Sequence, residues 1–509
     1  MSKKGLDTSN RSGVLVGSVV VAAVVIILVV LALTGVFSHP STNTPAAQKA
    51  PAQNNAKAPN NNAQVQAPNA QAQTPAQTST QGMYPFGKPS GGVAINVPPP
   101  PGQPTLSPTI ATKTTTRLYG EDPFEEAVSI TQHVWPAARS LTTPSGKTSV
   151  AENNNDPDRP WGLTLLTPDD PLTAITAVPL IHFPNDAPVL YVTKDGIPEV
   201  TRNEIKRLGD TGISRYHNVD AFLVGEAANP AVENQLKQMG LITHEVTADS
   251  TPELANKVDK LYGSIENPDT GVPNMGNGSE NVMIGSMDGD SYQYLLPSTH
   301  WVSHMATGLQ WVHKDSVPQP TIDALKRRDG MARIYVFGGP DQISSGVVKQ
   351  LSEYGTVTRI TNNDIVAFNA NPKDTPIDTA LAFAKMYDPM GMVGWGITGP
   401  GHGFTLVRQD DWQGAVASAP LSHLGFHAPL LMTDSSTSLP SQLEGYYKSV
   451  APTFLQSPAE GPYNMTYVLG SWDQIGWDQQ ADIDYISEMH ERYTWNSNTG
   501  SRYTDSGQF

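Results

Sequence analysis

Two sets of cations recur at one place in the chain. Arg202, Lys206, Arg207 and Arg215 form the first, Lys326, Arg327, Arg328 and Arg333 the second, and at the third corresponding place Lys448 stands alone. Lysine and arginine meet phosphate and carboxylate groups through charge-assisted hydrogen bonds, so a surface carrying Arg202, Lys206, Arg207, Lys326, Arg327, Arg328 and Lys448 could grip an acidic polymer. The plainer reading is a solvated helix face whose cations suit the negative end of the helix dipole. The balance of charge makes the first reading specific. Residues 1–115 hold seven Lys/Arg and one acid, which leaves 25 basic and 47 acidic residues beyond them, a net of −22. Such a surface repels nucleic acid in general, and an anionic partner must be met by a local basic patch.

Other residue types could carry chemistry but lack company. The run Thr398-Gly399-Pro400-Gly401-His402-Gly403-Phe404 reads as a Gly-rich loop between a strand and a helix, yet it lacks the Lys-Ser/Thr of a P-loop and the spacing of a dinucleotide fingerprint. It reads best as a turn. His182, His304 and His423 fall 16, 14 and 17 residues before Pro198, Pro318 and Pro440, but none has a second histidine or carboxylate at ligand spacing. The pairs Asp169-Asp170 and Asp410-Asp411 could hold calcium or act as acid and base. In a protein this acidic, solvated loop acids are the alternative. With no cysteine, thiolate catalysis and Cys-ligated zinc are excluded. No nucleophile elbow or His-Glu-x-x-His motif occurs, and neither a metal site nor a cofactor is expected.

The elements that must position these residues repeat with a period near 120. An apolar residue and a proline open a helix with lysine eight positions after the proline: Pro198 with Lys206, Pro318 with Lys326, Pro440 with Lys448. Apolar runs precede it (Ala187–Val192, Ala428–Met432), and others ending in glycine follow it (Ala221–Gly225, Ile334–Gly338, Tyr467–Gly470). Upstream strands are expected at Gly162–Thr167, Asn281–Gly285 and Val393–Ile397. Continuously apolar strands alternating with helices predict parallel sheets covered on both faces. The expected units are 116–243, 244–357 and 358–509.

At the N-terminus Lys3, Lys4 and Arg11 precede 24 uncharged residues, Val14 to Phe37. That run is long enough to span a bilayer, and its flanking cations place residues 1–13 in the cytoplasm and the remainder outside. Residues 38–115 are rich in Pro, Ala, Asn and Gln, with almost nothing to bury, and read as a disordered linker.

The repeated order resembles the type 2 cell wall-binding repeat family, which occurs in tandem threes on bacterial surface-layer proteins. The resemblance rests on Arg117-Leu118-Tyr119-Gly120, on Thr176-Ala177-Val178-Pro179-Leu180 and Ala417-Ser418-Ala419-Pro420-Leu421, and on Val336-Phe337-Gly338-Gly339-Pro340, together with the Pro-started helices. It implies three Rossmann-like or flavodoxin-like modules packed as a pseudo-threefold group and a non-enzymatic protein binding cell wall anionic glycopolymer. The alternatives are an extracytoplasmic wall-remodelling hydrolase, with its chemistry near His402 and Asp410, and a self-associating surface scaffold.

Overall fold

Pro198, Pro318 and Pro440 occupy one place in the fold. Each stands immediately before a helix, at φ of −55°, −62° and −55°, near the angle the pyrrolidine ring imposes and from which a helix can continue. The computed structural model describes residues 107–136, 159–209, 212–273, 280–360, 374–424 and 426–502, apart from 458, 460 and 493. The membrane span expected at 14–37 and most of the expected linker lie outside them. Among the described residues, no helix is long and apolar enough to cross a membrane.

The end of the expected linker belongs to the fold. Strand β1 (Thr109–Ala111) pairs antiparallel with β2 (Thr115–Leu118), because β-branched residues here find a sheet to join. Helix α1 (Pro123–Val134) follows, its start fixed by Asp122, whose carboxylate accepts from the amides of Phe124 and Glu125.

The first sheet consists of β3 (Leu163–Leu166), β4 (Val189–Tyr191), β5 (Ala221–Val224) and β6 (Thr243–Val246), all parallel in the order β4-β3-β5-β6. Helix α2 (Glu199–Leu208) lies between β4 and β5, and α3 (Thr251–Glu266) follows β6. The second sheet repeats the plan with β7 (Glu280–Ser286), β8 (Gly308–Val312), β9 (Ala332–Phe337) and β10 (Gly355–Ile360). Its helices include α4 (Leu296–His304) and α5 (Gln319–Lys326), and α6 (Pro376–Lys385) comes after β10. The third sheet has β11 (Gly403–Arg408), β12 (Leu430–Thr433) and, past the short β13 (Thr453–Phe454), β14 (Met465–Leu469). Helix α7 (Trp412–Ala417) follows β11 and α8 (Ser441–Ser449) follows β12. Its fourth strand is β2, from the other end of the described chain, parallel to β14.

Counted within a module, every sheet runs 2-1-3-4, the doubly wound order in which chain connections leave the first strand to opposite sides. Both faces are covered, which is why strands such as β4 and β5 are continuously apolar. On β7, Met283 belongs to the large core shared by the modules, whereas Val282 and Ile284 join a separate cluster with Val347 and Leu351.

The helix after each fourth strand packs on the next module: α1 on β4 and α2, α3 on β8 and α5, α6 on β12 and α8. With β2 completing the third sheet, the exchange is cyclic. The expected cuts at 243/244 and 357/358 therefore run through β6 and β10, since a fourth strand belongs to the module behind it and the following helix to the module ahead.

The opening Arg117 also acquires a role. Buried, it donates to the carbonyls of Gly470 (2.9 Å) and Ile475 (2.7 Å) and holds the turn after β14. Arg359, at the matching register of β10, donates to Gly338 and Ile343 (2.5 and 2.8 Å). In the first module the position is Glu245. The strand expected at Val393–Ile397 is not one: Gly394 and Gly396 take φ of +99° and +64°, outside the extended region. The upstream strand is β11, so the Gly-rich run leads into a strand instead of leaving one. Asn464 Oδ1 accepts from the amides of Gly401 and His402 (2.8 and 3.3 Å), fixing that turn.

Candidate functional site

The two cation clusters divide between surface and interior. Lys206 and Lys326 are exposed, and Arg202 is half-buried on the same helix as Lys206. Arg207 turns inward and pairs with Glu204 through Nε (2.8 Å) and Nη2 (2.5 Å), both side chains almost fully covered. Arg328 is buried and reaches both carboxylate oxygens of Asp259, on α3 (2.6 and 3.1 Å), and Arg327 joins it on Asp259. Burial works against ionisation of Asp259, but the two guanidinium groups outweigh it and hold its carboxyl below the usual range. Arg207 and Arg328 are thus turned inward and brace helices, while Arg327, a quarter exposed, is held against Asp259 at the edge of the face on which the sequence places it. Lys448 pairs with Glu444 on its own helix at 2.7 Å.

The three equivalent histidines meet where the modules meet. The rings of His182 and His423 lie 4.9 Å apart, and His304 faces His427 at 4.6 Å and stacks on Trp395. His182 Nδ1 lies 2.6 Å from the Tyr262 hydroxyl, and His423 Nε2 lies 2.5 Å from Asp186. Burial, with the neighbouring imidazoles, pushes His182 down to about 3 and His304 to about 4. Among the described residues no group of three or more His, Asp or Glu side chains is arranged to hold a metal ion.

Buried carboxyl groups gather elsewhere, at the carboxyl ends of β11, β14 and β2. There a crevice of about 380 Å³ is walled by Gly120 to Pro123 and Glu126 from the start of α1, by Arg408, Asp410, Asp411 and Gln413 after β11, and by Asp473 and Gln474 after β14. It occupies the switch point between first and third strands, where doubly wound sheets take ligands. Asp411 caps α7. Its Oδ1 accepts from Gly414 N (2.8 Å) and its Oδ2 from Gln474 Nε2 (3.0 Å). Glu126 is 3% exposed, and its Oε1 has no hydrogen-bond partner. Both Asp411 Oδ2 (2.6 Å) and Glu126 Oε1 (2.7 Å) lie close to the point where a Cβ on Gly414 would stand, so a larger residue there would displace the two carboxyl groups. Burial raises both carboxyls, Glu126 well above its ordinary value with Asp411 adding repulsion, and Asp411 to about 6.

Asp410-Asp411 was visible in the sequence as a candidate pair, though with calcium or catalysis in view. Glu126 was not singled out. The signal was present: Glu126 shares one helical stripe with Ile130 and Val134, a place where an apolar residue is the rule.

No family model matches this chain, and no curated protein sequence matches it. Among solved structures it is similar to two cell wall proteins of Clostridium difficile. Cwp6 superposes with a TM-score of 0.53 at 18% identity, over 78% of this chain and 53% of that one. Cwp8 gives 0.50 at 15% identity, over 73% and 51%. At these identities the likeness is one of fold, and the chain spans about half the length of each.

Proposed function

We propose that this protein is a non-enzymatic cell-surface protein, held in the membrane by residues 14–37, whose three modules form a pseudo-threefold group that binds an anionic cell wall glycopolymer, as the type 2 cell wall-binding repeats would. The observation that carries the reading is the fold shared with Cwp6 and Cwp8. The exposed Lys206 and Lys326 sit at the same turn of equivalent helices, α2 and α5, and supply the local cations that a net-acidic ectodomain needs for such a ligand. The hydrolase reading loses its pairing of His402 with Asp410, because the two flank opposite ends of β11.

Sedimentation of the full chain with isolated walls tests this reading, using Arg202→Glu, Lys206→Glu and Lys326→Glu together. The buried Arg207 and Arg328, and Arg327, which shares Asp259 with Arg328, are left intact so that the fold survives. Binding should fall with added salt and be lost in the triple variant. Full binding by that folded variant would remove the cationic face from the mechanism.

A further inference from the structure

We infer that the crevice between the ends of β11, β14 and β2 is a second binding site, for the ammonium group of an unacetylated amino sugar. The inference is independent of the anionic polymer, since the two surfaces have opposite sign and lie on different elements.

The first support is an unmet bond. Glu126 Oε1 is buried without a partner, and a buried acceptor left unsatisfied costs stability that a fold does not ordinarily forgo. It faces the same point as Asp411 Oδ2, the two oxygens 2.7 and 2.6 Å from where a Cβ on Gly414 would stand. Two carboxyl oxygens converging from different elements, with a cavity beside them, make a receptor for a donor carrying several N–H bonds and positive charge. A primary ammonium has three such donors.

Charge selects the same ligand. Among the walls, Arg408 is the single cation, and Asp410 already engages it through two bonds of 3.1 Å. Glu121, Asp122 and Asp473 add negative potential at the mouth. From below, Arg117 favours ionisation of Glu126, but its guanidinium is engaged with carbonyls of the turn after β14. From the first module, Tyr191 lies within the field of both carboxyls and is itself held protonated by burial and by them.

A metal ion fits less well, because among the described residues no third carboxylate or histidine is arranged with the pair to hold one. The polar rim and the cavity volume suit a small polyhydroxylated body, with Gln474, Asp410 and Arg408 placed to meet hydroxyls.

Proton accounting follows. At neutral pH burial and mutual repulsion keep a proton on the pair. An arriving ammonium replaces it, and the proton passes to the buffer.

Ligand-observed NMR on the purified full chain, with glucosamine, N-acetylglucosamine and calcium chloride as probes, tests the assignment. Glucosamine should bind, and N-acetylglucosamine, which has no ammonium, should bind about tenfold or more weakly. Glu126→Gln and Asp411→Asn, which keep shape and the helix cap, should each weaken glucosamine binding by a similar factor. Calorimetry of the unaltered chain in two buffers of different ionisation enthalpy should show proton release, a readout that needs no variant. Equal affinity for the two sugars, or binding without proton release, would overturn the inference. So would calcium displacing glucosamine at lower concentration, which would make the crevice a metal site.

Discussion

His300 allows one proton to report on the seam between the second and third modules. Its ring is wholly buried on α4, with Nδ1 beside the Ser422 hydroxyl (2.7 Å) and the Ala428 carbonyl (2.9 Å), and Nε2 beside the Ser418 hydroxyl (3.1 Å). Burial pushes it down to about 4, against ~6.5 in an unfolded chain. A base depressed by folding stays neutral in the native state. Its contribution is therefore fully present above pH ~6.5, is lost as the pH falls from there toward 4, and changes no further once both states carry the proton. Each unit of pH in that window is worth ~1.4 kcal/mol, so from pH 6.5 to 5 His300 alone should remove ~2 kcal/mol of stability. His182 and His304 act in the same direction. Glu126 and Asp411, raised by burial, act oppositely and are relieved by acid. Comparing the unaltered chain with His300→Gln cancels all four. Urea unfolding followed by tryptophan fluorescence should show the stability gap between the two narrowing by ~2 kcal/mol over that interval. A gap that stays constant with pH would refute the argument, because it would mean that His300 does not resist protonation in the folded state.

Three further outcomes are expected. Asp259→Ala leaves Arg328, whose side chain is 0% exposed, without its counter-ion, and should cost ~3–5 kcal/mol in urea unfolding, whereas Lys326→Glu, at the exposed end of α5, should cost within ~0.5 kcal/mol. Gly120→Ala places a Cβ 2.2 Å from the Glu126 amide, so it should lower the melting temperature through a loss of ~1–3 kcal/mol. Removing residues through Val134 deletes β2 and α1 together, and hydrogen exchange should then lose protection at β14 and at β4, far apart in sequence, while β7 and β9 keep theirs.

The elements with strong local signals were legible. Pro198, Pro318 and Pro440 fix φ by covalent geometry, and they mark equivalent helices whatever packs around them. Val189–Tyr191 and Ala221–Val224 are apolar on both faces, as a covered parallel strand requires. Where the sequence misled, a long-range partner decided. Val393–Ile397 has a strand's composition, but the positive φ of Gly394 and Gly396 belongs to a turn in which Trp395 packs against Trp301 and His304. Arg207 and Arg328 look like their exposed neighbours in a list of cations. One faces Glu204, a turn away, and the other Asp259, on a helix 69 positions back, and only the packing of α3 on α5 shows it.

The crevice was hidden for a related reason. Glu126 and Asp411 are 285 positions apart in the chain, and they meet only because β2 leaves its own repeat to complete the sheet of the third. A reading that divides the chain into consecutive repeats assigns them to different units and cannot bring them together. The closing strand is therefore what creates the site as well as what closes the ring. The other two junctions, built the same way, lack one of its acids: at the helix position of Glu126, three residues past the opening proline, α3 has Ala255 and α6 has Thr379. An apolar or hydroxyl residue there brings no second carboxyl beside the aspartate that caps the neighbouring helix. The three junctions share one architecture, but among the described residues this carboxyl pair stands at the junction where β2 joins β14.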